Sequence, residues 1–78
     1  MMSRKVYYVV FHGGSWKVAF NRAHIGTYRT QGAAIKNAVA AAQRAGINGF
    51  GGQVLVQGRD GQFRTEWTYG HDPYPPRG

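Results

Sequence analysis

One segment constrains the fold of this chain more than any other. From Gln31 to Ala45 the apolar residues Ala34, Ile35, Ala38, Val39 and Ala42 recur at helical spacing, while Lys36, Asn37, Gln43 and Arg44 fall mainly on the other side. This is an amphipathic helix with one face to bury. Thr30 can cap its start, Gly46 is placed to end it, and Gly32 weakens the first turn slightly. A single helix with one apolar stripe needs a sheet face to lie on, and it leaves the sheet's other face open.

The flanking segments supply that sheet. Val6 to Phe11 is a short β-branched and aromatic run, hence a strand. His12-Gly13-Gly14-Ser15 offers two glycines where a tight hairpin turn needs positive φ, and Trp16 to Phe20 alternates large apolar with smaller or polar residues. Asn21 to His24 reads as a turn and Ile25 to Arg29 as a short third strand. After the helix, Ile47 to Gly52 is a glycine-rich connection, Gln53 to Gln57 a fourth strand and Gln62 to Tyr69 a fifth. Between the last two, Gly58-Arg59-Asp60-Gly61 carries the Asp-Gly signature of a two-residue loop. His71 to Gly78 holds all three prolines and is expected to be extended. Such a tail ordinarily packs on its own sheet, and its Pro-x-x-Pro spacing also fits a polyproline ligand. The expected fold is α+β, one domain over 1–78, with the order βββαββ and a five-stranded, mostly antiparallel sheet carrying one helix on one face. A right-handed crossover through the helix would return the chain beside and parallel to the first strand.

Hairpin pairing then sorts the side chains. With Asp60-Gly61 as the turn, Phe63, Thr65, Trp67 and Tyr69 share the helix-facing side with Val54 and Val56. Gln53, Leu55, Gln57, Arg59, Arg64, Glu66 and Thr68 take the other side. The first hairpin puts Tyr7, Val9, Phe11, Trp16, Val18 and Phe20 on one face and Tyr8, Val10, His12, Lys17 and Ala19 on the opposite one. An even-numbered loop within Asn21 to His24 adds Tyr28 to the open face beside Lys17; an odd one reverses it. The open face is thus expected to gather Tyr8, Lys17, Tyr28, Gln57, Arg59 and Arg64.

Charge says what such a face could meet. Ten Lys and Arg stand against Asp60, Glu66 and Asp72, a net charge of +7. A field of this sign attracts nucleic acid, acidic protein or anionic membrane, although it also serves plain solubility. Rings beside cations on a sheet suit single-stranded nucleic acid, so Tyr8, Lys17, Tyr28, Arg59 and Arg64 are the expected contacts. A protein-interaction module, as a homodimer or with an acidic partner, is the alternative. No run approaches the roughly 20 apolar residues of a spanning helix, and only six apolar residues follow Arg4-Lys5, fewer than a signal peptide needs. With no cysteine, the expected location is the cytoplasm and the expected partners exclude membrane.

Catalysis finds little support. His12 and His24 fall in turns, His71 lies in the tail, and none has metal-ligand spacing. Asp60 sits in a turn that can engage its own backbone, Glu66 lies mid-strand among polar neighbours, and Ser15 has no placed base. Gly49-Phe50-Gly51-Gly52 leads into a strand, whereas a phosphate cradle wants a helix N-terminus after its glycines. No enzyme activity, cofactor or metal is expected.

Specific strings carry a resemblance. His12-Gly13-Gly14-Ser15-Trp16 after Tyr7-Tyr8-Val9-Val10, then Gly58-Arg59-Asp60-Gly61, then Tyr69-Gly70-His71-Asp72-Pro73-Tyr74-Pro75-Pro76-Arg77-Gly78 resemble the bacterial and phage family called domain of unknown function 2188, over nearly the whole chain. That family typically has a third glycine where Ser15 stands and an acidic residue where Gly32 and Ala33 stand. The resemblance implies the small α+β fold, here with a less acidic helix, and brings no activity or site residue with it. The order of elements is also similar to that of HicB-type antitoxins, a likeness of order alone, which implies a toxin or nucleic acid as the class of partner.

Overall fold

Alternating apolar residues and short turns build the sheet from β1 (Arg4–His12), β2 (Ser15–Phe20), β3 (Ala23–Tyr28), β4 (Gly51–Gln57) and β5 (Phe63–Thr68), with α1 (Gln31–Ile47) between β3 and β4. The computed structural model describes residues 4–76. Strand order is β3-β2-β1-β4-β5. Every neighbouring pair is antiparallel except β1 and β4, which run parallel because α1 carries the chain across between β3 and β4. The architecture is the α+β arrangement that the sequence predicts. Among the described residues no helix is long and apolar enough to cross a membrane.

The helix starts as expected, with the Ala33 N–H donating to Thr30 Oγ1 at 3.1 Å. It ends later than Gly46. Asn48 is the C-cap and Gly49, at φ +93°, takes the left-handed position that follows it. Phe50 N–H donates to the Ala45 carbonyl at 2.9 Å and Gly49 N–H to the Gly46 carbonyl at 3.0 Å, the paired bonds of a Schellman ending. Gly46 is instead a clearance inside the helix: a Cβ there would lie 2.2 Å from Cγ of the Tyr69 ring.

The core is thin, and the helix contributes only small residues to it. Ala34, Ala38, Val39 and Ala42 of α1 are fully buried against Val9, Val18, Val54 and Trp67 of the sheet. Trp16, Phe20, Tyr28 and Ile35 close its margins. With alanine along the stripe, the helix lies close enough that a Cβ on Gly52 would stand 2.2 Å from the Ala42 carbonyl oxygen.

Two hairpins depart from their expected register. Around Asp60 the loop has three residues, with Gly61 N–H bonded to the Gly58 carbonyl at 3.0 Å and Gly58 N–H to the Gln62 carbonyl at 2.8 Å. Gly61 sits at φ +81°, the type I turn and glycine bulge that three-residue hairpins favour. Phe63 therefore pairs with Gln57 and Arg64 with Val56, which turns Phe63 and Thr65 to the open face and Arg64 to the helix side. The pairing skips Glu66 and so restores Trp67 opposite Val54. At the second departure, Asn21 and Arg22 form a two-residue turn at φ +55° and +67°. The pairing then jumps from Ala19–His24 to Val18–Gly26, leaving Ile25 as an extra residue. The Gly13-Gly14 hairpin pairs as expected, with Phe11 opposite Trp16 and His12 opposite Ser15.

The tail folds back on β5. Trp67 Nε1 donates to the Pro73 carbonyl at 2.8 Å, and Thr68 N–H donates to Asp72 Oδ2 at 2.9 Å. Tyr74 stands edge-on to the Trp67 ring at 6.2 Å. Arg77 and Gly78 lie outside the described residues.

Gly52→Ala should destabilise the domain by about 1–3 kcal/mol, because the obstructing atom belongs to the helix backbone and α1 has to lift. Gly51→Ala meets only Arg4 side-chain and Cα atoms at 3.4 Å or more and should stay within about 0.5 kcal/mol of the parent. Urea denaturation of both variants reads the difference.

Candidate nucleic-acid interface

The open face carries less charge than its sequence pattern predicts. Tyr8, Val10, Lys17, Ala19, Leu55, Gln57, Phe63 and Thr65 share it by alternation and register. Lys17 is the cation near its middle, and its Nζ donates to Thr27 Oγ1 at 3.1 Å. Tyr8 is 37% exposed and meets Phe63 edge-on at 5.5 Å, so its ring presents one side to solvent.

Of the five residues expected together on this face, only Tyr8 and Lys17 are there. Tyr28 is a correction: the extra residue at Ile25 sets it opposite Trp16, on the helix side and packed against the core. Its ring folds over Gly26, where a Cβ would lie 2.6 Å from the Tyr28 hydroxyl. Arg64 is a second correction, moved to the helix side by the three-residue loop. It shares a cleft of about 280 Å³ with Gln31, Val56, Gln57, Gly58, Arg59 and Glu66. Arg59 sits in the hairpin turn at that same end of the sheet, roughly 20 Å along β4 from the start of β1.

The opposite end gathers charge that strand alternation alone does not reveal. A cleft of about 500 Å³ is lined by Arg4, Lys5, Val6, Tyr8, Phe20, Asn21, Arg22 and Phe50, and no carboxylate is among those residues. Topology explains the assembly. Tyr8 pairs with Ala19, so continuing that register three residues brings Lys5 level with Arg22 in the next turn. The Lys5 ammonium lies 4.4 Å from the Phe50 ring centre and 5.4 Å from that of Phe20, a cation–π contact that holds it in place. Phe20 in turn stacks on Tyr7 at 4.7 Å. This is also the end at which α1 finishes, where cations complement the helix's last carbonyls.

Arg22 has the costliest backbone of the group. The second position of this turn type favours glycine, and an L side chain there carries roughly 1–2 kcal/mol of strain. Strained residues gather at functional positions. The signal for this cluster is present in the sequence: an antiparallel hairpin with a two-residue turn at Asn21-Arg22 must bring that turn beside Arg4-Lys5. Among the described residues no group of three or more His, Cys, Asp or Glu side chains could hold a metal ion.

Replacing Arg22 with glycine should raise stability by about 0.5–1 kcal/mol, the relief of strain less the added freedom of the unfolded chain. For a domain of this size that is a rise of about 2–8 °C in thermal midpoint, measurable by circular dichroism.

The model of the family described as an uncharacterized protein conserved in bacteria, domain of unknown function 2188, matches residues 7–69. No curated protein and no solved structure matches the chain. The matched span runs from within β1 to one residue past β5, so it takes in both displaced registers, the helix and the Arg22 turn. The chain therefore belongs to the bacterial family called domain of unknown function 2188.

Proposed function

We propose that this domain is a non-enzymatic binding module that holds single-stranded nucleic acid by its phosphates at the Arg4–Lys5–Arg22 end of the sheet. The observation that supports the reading is that Arg4, Lys5 and Arg22 all line one cleft whose lining has no carboxylate. Arginine guanidinium groups match phosphate oxygens two at a time. The half-exposed Tyr8 ring at the same cleft offers a base a stacking surface, and Lys17 extends the path along the open face. The net charge of +7 adds long-range attraction for a polyanion. Arg59 and Arg64 act in this reading through that field rather than by contact, and Tyr28 supports the fold. The cytoplasm, where such ligands are at hand, is the location we assign.

Binding through phosphates is weak, tolerant of sequence and steeply salt-dependent. Three phosphate contacts to a single strand give a slope of log affinity against log salt near about −2. Fluorescence anisotropy with a labelled oligothymidine at two salt concentrations measures it. Arg4→Ala and Arg22→Gly should each weaken binding and bring the slope about 0.7 closer to zero, while Arg59→Ala changes it little. Absence of binding at low salt, or unchanged affinity in the Arg4 and Arg22 variants, overturns the proposal.

A protein partner is the second reading, favoured by one observation. Val6, Tyr8, Val10, Leu55 and Phe63 make the open face largely uncharged, which suits a homodimer or another protein better than a polyanion. Light scattering decides between the two. A concentration-dependent dimer that Leu55→Asp abolishes would place Tyr8 in that interface and take it from nucleic acid.

A further inference from the structure

Two histidines that the sequence separates have neighbouring rings on the sheet surface. His12 ends β1, opposite Ser15, and His24 lies on β3 opposite Ala19. Alternation turns both toward the open face, with β2 between them. Both residues are exposed, and their ring centres stand 5.3 Å apart at an interplanar angle of 58°. We propose that His12 and His24 form a two-imidazole site for a divalent transition-metal ion.

The separation is the argument. An ion bound by two imidazole nitrogens at about 2.1 Å with a tetrahedral angle sets the ring centres about 5 Å apart. Imidazole suits zinc, nickel and copper. The nearby cation on this face, Lys17, is directed to Thr27 Oγ1. Two protein ligands leave the other coordination positions to water, or to the same pair from a second copy. The site is independent of the phosphate cleft and uses none of its residues.

The test uses the full chain without a histidine tag, titrated with zinc chloride while the histidine ring protons are followed by NMR. His12 and His24 should respond together and saturably, with His71 unaffected. His12→Ala and His24→Ala should each abolish that response; because both rings are exposed, the fold should persist, as circular dichroism will verify. His24→Asn gives a second, polar replacement with the same expected loss. A zinc-dependent dimer that His24→Ala abolishes also supports the site, since two pairs fill four positions. Binding that survives in the double variant, a response from His71 alone, or no saturable response up to about 1 mM zinc overturns it.

Discussion

The structure depends on how closely α1 approaches the sheet. Alanines at 34, 38 and 42 leave no side chain long enough to hold the helix away, and Gly52 lies directly beneath the Ala42 carbonyl. A thin core of this kind gains from dense contact more than from large buried rings. It also fixes the connectivity. A helix seated over β1 and β4 carries the chain across, which makes the central pair parallel in an otherwise antiparallel sheet. One helix covers one face, and everything left for binding lies on the opposite face or at the ends.

Much of that frame is legible in the chain. The alanine stripe predicts the helix and its buried face, the Thr30 cap is where expected, and the βββαββ order follows from the strand patterns. The faces are read correctly where loop length is fixed by two glycines, as at Gly13-Gly14. They are misread where a bulge intervenes, because one extra residue inverts every side chain beyond it. Ile25 inverts Tyr28, and the three-residue loop at Arg59-Asp60-Gly61 inverts Phe63, Arg64 and Thr65. Trp67 keeps its predicted face because the skipped Glu66 cancels the earlier shift. Asp-Gly serves two-residue and three-residue loops alike, and no local pattern around Ile25 distinguishes a bulged strand from a regular one.

These inversions change where the charge lies as well as which face it is on. Exchanging Arg64 for Phe63 makes the open face more apolar, so the net charge of +7 no longer has a focus there. The focus moves to the edge where β1 begins and the Asn21-Arg22 turn lies. That neighbourhood is set by topology rather than by register. Adding a residue inside β3 leaves it untouched, because both Arg22 and Lys5 come before the bulge. The part of the candidate site that rests on strand order is therefore sturdier than the part that rests on face alternation.

Arg22 shows how stability and binding can pull in opposite directions at one position. For the turn alone glycine is the better residue, since φ of +67° strains any L side chain. For the cleft, arginine adds a guanidinium beside Arg4 and Lys5. A small domain with a thin core has little stability to spare. The strain at Arg22 is borne beside the Lys5 ammonium that Phe50 and Phe20 order, and that juxtaposition is the physical ground of the proposed anion-binding role.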